Sequence, residues 1–300
     1  MIELVKAIFM GVIQGITEFL PISSSGHLAI LKQVLNMGDI SDTFDVILHV
    51  GTLIAVFAVY WRDIWKLIVS GLGLMGDFFV NVKIFFVDNL INHREARYRR
   101  VINSAYRKFA LLVIVSTIPT GLIGYFGRNL VEKAGTTLIV PGFCLLITGV
   151  VLLISDNLEG GVKTPKKTTY FDGIILGIVQ GVATLPGISR SGSTITAGLA
   201  CGLRRDFAVK YSFIMSIPAI MGAAVLKIDG LIHEPVGSSE LMCYLVGMIV
   251  SAIVGFICIK TLLVLIKGKK FKYFAYYCFA VGGFSIVWYV CNILVQNMNN

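Results

Sequence analysis

Six stretches of this chain, residues 46–61, 109–126, 138–154, 207–226, 241–266 and 274–294, are apolar almost without interruption. Each approaches or exceeds the roughly 17–25 residues that a helix needs to cross a bilayer. In hydrocarbon the backbone must satisfy its own hydrogen bonds, and a helix does so within one segment. The chain therefore reads as an all-α, polytopic membrane protein with about six full spans. Composition points the same way: 56% hydrophobic, 14% charged. A soluble domain lacks the polar surface to cover so many apolar side chains. No small-residue cleavage site follows the apolar N-terminus, so it is not read as a removed signal peptide.

The net charge of +9 raises the question of nucleic acid, and its placement argues against it. Basic residues gather in connecting segments: Arg94–Lys108, Lys163–Lys167, Arg204–Lys210 and Lys267–Lys272. Acids occupy others, at Asp39, Asp42 and Asp45 and at Asp229, Glu234 and Glu240. This is the asymmetry of cytoplasmic and external loops, with attraction to anionic membrane lipids as a secondary role. The six cysteines are scattered, mostly through apolar spans, with no CxxC pair. They read as small core residues, neither metal ligands nor disulfides.

The chain repeats itself. GVIQGITEFLPISSSGHL (11–28) aligns without a gap to GIVQGVATLPGISRSGST (177–194), with seven identities in eighteen positions. Unrelated segments share about one or two. Both copies are apolar helix patterns broken by Pro, Gly and Ser, and both precede apolar spans. Two homologous halves follow, 1–160 and 161–300. Each broken segment is read as a re-entrant helical hairpin, and three spans come after each. Three is odd, so the second half begins on the opposite face, giving an inverted-topology repeat within one integrated membrane domain. The basic loops then fall inside, and the acidic loops and both termini outside. Segment 65–91 carries Lys66, Asp77, Lys83 and Asp88 and is expected to form an interfacial amphipathic helix or helical pair.

Within the broken segments the polar residues stand out. Glu18 is a carboxylate in an apolar run, a placement that is costly and usually functional. Gln14, one turn earlier, shares its helix face. His27 shares a short loop with Ser23, Ser24 and Ser25. His49, in the span beyond, has no such company and carries less weight. Arg190, flanked by Ser189 and Ser191 with Thr194 nearby, suits a phosphate, whose geometry its planar fork matches. The second copy has Thr184 and Ser193 where the first has Glu18 and His27. One half handles protons and the other binds an anion, which is the chemistry of phosphate ester or anhydride hydrolysis.

QGITEFLPISSSGH and PGISRSGST closely resemble the two signature motifs of the bacterial undecaprenyl-diphosphate phosphatase family, integral-membrane phosphatases linked to bacitracin resistance. Length, repeat and span pattern extend the resemblance over the whole chain. It implies hydrolysis of undecaprenyl diphosphate to undecaprenyl phosphate and phosphate at the bacterial plasma membrane, recycling the lipid carrier of cell-wall synthesis. It implies a divalent cation, Mg2+ or Ca2+, with Glu18 as the candidate ligand. Position 14 is Gln rather than Glu and offers a metal no carboxylate. The resemblance carries catalytic roles to Glu18, Ser24, His27 and Arg190. Gln14, Ser23, Ser25, Ser189, Ser191 and Thr194 are the candidate substrate-binding residues.

In the mechanism expected from these residues, Glu18 pairs with His27, and either Ser24 or His27 attacks the terminal phosphorus. The three-residue spacing of Ser24 and His27 favours Ser24. The site is expected to face outward. The rival reading is a secondary transporter or lipid-phosphate flippase, which shares inverted repeats and broken helices but does not need the Glu–Ser–His set.

Overall fold

Apolar periodicity and helix breakers together cut the chain into ten α-helices among the residues that the computed structural model describes, 2–35, 42–91, 97–233, 237–265 and 270–298. They are α1 (Ile2–Phe19), α2 (Ser24–Val34), α3 (Asp42–Ile84), α4 (Ala105–Gly135), α5 (Ile139–Asn157), α6 (Tyr170–Val182), α7 (Arg190–Ala200), α8 (Arg205–His233), α9 (Ser238–Leu265) and α10 (Phe271–Met298). No strand occurs among the described residues, apart from an isolated bridge between Lys163 and Leu203. Helices α3, α4, α5, α8, α9 and α10 each contain a stretch long and apolar enough to span a bilayer. The molecule is a multi-pass helical membrane protein. Of the loop charges, Asp39, Arg94, Glu234, Lys267 and Lys269 lie outside the described residues.

The exterior fits lipid rather than water. Ile118, Leu122 and Phe126 of α4 and Ile249, Ile253 and Ile257 of α9 all stand exposed, at spacings of three to four that place each set on one helix face.

Segment 65–91 follows the first span across a break: Tyr60 takes non-helical backbone (φ −107, ψ 19) inside α3, and the helix beyond it runs to Ile84 and ends in a π-helical turn, Phe85–Ile91. The apolar stretch Thr43–Asp88 has 46 residues. At 1.5 Å per residue that is about 70 Å, more than twice the hydrocarbon core of roughly 30 Å. One part of α3 is the span, and the rest lies beyond it. That outer part is tied back by Asp77, which accepts a hydrogen bond from Arg107 of α4.

The glycines shared by the two motifs do the same work twice. Gly11 and Gly15 lie one helical turn apart on α1, and Gly177 and Gly181 lie likewise on α6. A Cβ on Gly11 would stand 2.7 Å from the carbonyl oxygen of Gly247, and one on Gly15 would stand 2.9 Å from that of Ser251, both on α9. On Gly177 it would stand 2.2 Å from the carbonyl oxygen of Ser116, on α4. Small residues let backbones meet where lipid supplies no hydrophobic drive between helices. So α1 packs on α9 and α6 packs on α4. Each motif helix thus packs on a long helix distant from it in the chain, while α5 and α10 pack on each other.

Each motif helix stops where its sequence requires. Pro21 has no N–H and disfavours helical backbone at Leu20; α1 ends at Phe19 and α2 begins at Ser24. In the second copy α6 ends at Val182 and Pro186–Gly187 precede α7. Gly187 takes φ +96, a backbone state that a side chain would strain.

Candidate active site

The two breaks abut. A Cβ on Gly26 would stand 2.8 Å from Cα of Gly187, and one on Gly192 would stand 3.2 Å from Cβ of Pro21. These contacts are reciprocal, because Gly26 aligns with Gly192 and Pro21 with Gly187. Serine caps both following helices: Ser23 Oγ accepts from the Gly26 N–H at 3.3 Å, and Ser189 Oγ from the Gly192 N–H at 3.1 Å. Such caps satisfy amides that a first turn otherwise leaves open. Thr148 of α5 locks the second break, donating to the Gly187 carbonyl at 2.8 Å and accepting from the Ser189 N–H at 3.0 Å.

Where the breaks touch, Glu18 is buried in the last turn of α1. One carboxylate oxygen accepts from the Arg190 guanidinium in the first turn of α7. The other accepts from Ser24 Oγ at 2.5 Å and from Gln14 Nε2 at 3.0 Å. His49 Nε2 of α3 stands 3.5 Å from the same oxygen, its Nδ1 donating to the Asp45 carbonyl at 2.7 Å. A buried carboxylate is tolerable when donors and a cation surround it, and here four side chains from four helices, Gln14 of α1, Ser24 of α2, His49 of α3 and Arg190 of α7, do so.

His27 is placed otherwise than expected. It is buried, but its ring does not meet Glu18. Nδ1 lies 2.7 Å from the Ser23 carbonyl and Nε2 lies 2.8 Å from the hydroxyl of Tyr277 on α10. The reason is direction: Ser24 occupies the first turn of α2 facing α1, while the carbonyl of Ser23 draws the imidazole toward α10. The histidine on Glu18 is His49. Its identity as a charged-type residue in an apolar span was the available signal, and the missing information was that α3 packs beside α1. Tyr277 gave no signal, being one of three tyrosines within five residues of α10.

The remaining candidates divide. Gln14 is in the cluster. Ser23 and Ser189 cap their helices, each with its hydroxyl 3.4 Å from that of Ser25 or Ser191 respectively. Thr194 stands apart: fully buried, it donates to the Arg190 carbonyl at 2.7 Å and shares a 2.6 Å hydrogen bond with Ser212. It anchors α7 to α8.

The cluster does not fit a protein-held divalent cation. Among the described residues no group of three or more His, Cys, Asp or Glu converges. Both oxygens of Glu18 already hold donors. Gln14 Oε1 is buried without a hydrogen-bond partner, but so is the Oε1 of Gln180 at the aligned position of α6, where Thr184 replaces the carboxylate. The orphaned oxygen is a feature of both copies, not a mark of a metal.

What the arrangement offers chemically is a hydroxyl whose proton already points at a carboxylate, a guanidinium with further N–H donors free of that carboxylate, and two helix starts that favour negative charge.

Comparison with known proteins gives concordant results. The sequence model for bacitracin resistance protein BacA matches residues 7–284. An undecaprenyl-diphosphatase of Methanosphaera stadtmanae is 40% identical over 96% of this chain and 98% of its own length. Those of Alkaliphilus metalliredigens and Halothermothrix orenii are 39% and 36% identical, over 94% and 95% of this chain and 97% and 98% of theirs.

Proposed function

The chain belongs to the bacitracin resistance protein BacA family, and on that premise we propose how its site works as an undecaprenyl-diphosphatase. It is a membrane enzyme that hydrolyses undecaprenyl diphosphate to undecaprenyl phosphate and inorganic phosphate, and its substrate is an isoprenoid diphosphate lipid. The hydrolase reading prevails over a transporter because the relatives are diphosphatases by name and because the site holds a poised nucleophile.

The observation that carries the mechanism is the short hydrogen bond from Ser24 to Glu18. Glu18 takes the Ser24 proton as Oγ attacks the terminal phosphorus. The bond from that phosphorus to the bridging oxygen breaks, and undecaprenyl phosphate leaves with the electron pair. Arg190 turns its remaining N–H donors to the phosphoryl oxygens, where a preorganised donor acts most strongly. Water then attacks phosphoserine, and its proton passes to His27. Ser24 Oγ leaves and regains its proton from Glu18. His49 stands beside the Glu18 oxygen that takes the Ser24 proton.

The halves 1–160 and 161–300 are the two repeats of this proposal, with α1–α2 and α6–α7 as re-entrant hairpins whose breaks form one site at mid-membrane. The site opens outward at the bacterial plasma membrane. A divalent cation, Mg2+ or Ca2+, would be held by the diphosphate rather than by protein carboxylates, and would supply positive charge to its oxygens.

The test is phosphate release from an isoprenyl diphosphate by purified protein in detergent, beside the Ser24→Ala variant. Release that persists in that variant removes Ser24 as nucleophile. Movement of the lipid across vesicles without release of phosphate returns the transporter reading.

A further inference from the structure

His27 has a partner from the far end of the chain, and the geometry fixes its chemical form. A carbonyl only accepts, so the 2.7 Å contact with the Ser23 carbonyl places hydrogen on Nδ1. In a neutral imidazole Nε2 then carries a lone pair, and the Tyr277 hydroxyl 2.8 Å away donates to it. The two rings lie parallel, 2° apart in plane with centroids 5.5 Å apart.

The backbone is bent to suit. Ser23 takes φ 68 and ψ 100, and is the only non-glycine at positive φ among the described residues. Such backbone costs energy and persists only where its surroundings demand it. The aligned Ser189 caps its helix in the same way at an ordinary φ of −72, and four residues later that copy has Ser193 instead of an imidazole. The strain thus accompanies the histidine, not the cap.

Tyr277 is 43% exposed, so its hydroxyl is not there to fill a core. It crosses 250 residues of sequence to reach one nitrogen. Among the described residues the Tyr277 hydroxyl is the hydrogen-bond partner of Nε2.

We infer that Tyr277 is a proton relay for the second half of the reaction: the Ser23 carbonyl holds His27 as the Nδ1–H tautomer, Nε2 accepts from the Tyr277 hydroxyl, and as the attacking water gives its proton to the Tyr277 oxygen the hydroxyl proton passes to Nε2. This rests on the reading of His27 as the base that takes the proton of the attacking water. It predicts a failure confined to phosphoserine hydrolysis, since attack by Ser24 draws on Glu18 alone.

Tyr277→Phe keeps the stacked ring and removes the O–H. It should lower kcat about tenfold, the worth of one net hydrogen bond. KM should fall in proportion, leaving kcat/KM unchanged, because the first step is untouched. Phosphorylated Ser24 should accumulate on acid quenching with labelled diphosphate, and the 15N resonance of His27 Nε2 should shift. Tyr277→Ala, which also loses the ring, reports on folding through its thermal stability. A wild-type kcat in Tyr277→Phe beside an impaired His27→Ala overturns the inference, as does a joint fall of kcat and kcat/KM without phosphoserine. If His27→Ala itself turns over like the wild type, the base assignment is lost and the relay with it, and the Nε2 resonance in Tyr277→Phe decides whether Tyr277 donates to the ring.

Discussion

Glu18 accepts a hydrogen bond from Arg190, 172 residues further along the chain, and this pair joins the two motifs. Breaking a buried pair by removing one partner typically costs about 3–5 kcal/mol, because the other charge is stranded. Glu18→Gln and Arg190→Gln should each lower thermal stability in detergent and abolish turnover. The double variant strands no charge and should regain much of the lost stability while staying inactive. Stability losses that simply add would show that the pair is not a unit.

In the proposed mechanism Arg190 and His27 serve one phosphoryl group. Residues that serve one reacting group are strongly non-additive. Arg190→Ala should cost roughly 10²–10³-fold in kcat, and combining it with His27→Ala should add little. Arg190→Lys keeps the charge but loses the planar fork and should also be severely impaired. Full multiplication of the two single losses, at a measurable residual rate, would separate the two residues.

His49 Nε2 stands 3.5 Å from the Glu18 oxygen that accepts from Ser24. His49→Ala should lower kcat about tenfold, on the scale of one polar contact to a charged group, with KM little changed. An unaltered kcat would make His49 a bystander in the span.

Close packing through the shared glycines gives a stability test independent of chemistry. A methyl on Gly177 would lie 2.2 Å from the Ser116 carbonyl oxygen, whereas one on Gly121 meets nothing within 4 Å. Gly177→Ala should destabilise by about 1–3 kcal/mol, and Gly121→Ala should be neutral or slightly stabilising through helix propensity. Thermal unfolding of the two variants in detergent compares them directly.

Orientation is open to chemical labelling. Val162 is 76% exposed and Gly237 is exposed. In intact cells an impermeant thiol reagent should reach a cysteine at Gly237 and not one at Val162. The reverse result would invert the proposed outward-facing site.

The sequence alone determined the solvent. Runs as long as 241–266 can satisfy their backbone in lipid only as helices, so the number of spans and the exposed apolar exterior were legible in the sequence. It also determined where the helices break, because Pro21 and the Pro186–Gly187 pair act through local sterics. It singled out Glu18, Ser24 and Arg190, since polar groups in an apolar run are conspicuous by contrast. Partnership was decided elsewhere. That Glu18 meets His49 rather than His27 depends on which way each ring points once α3 lies beside α1. That His27 meets Tyr277 depends on α10 closing the far side of α2. That Thr194 anchors α7 instead of facing the cluster depends on Ser212 of α8. Each is a contact between segments distant in the chain, set by how helices pack, and neither spacing nor residue type along one strand of sequence carries that direction.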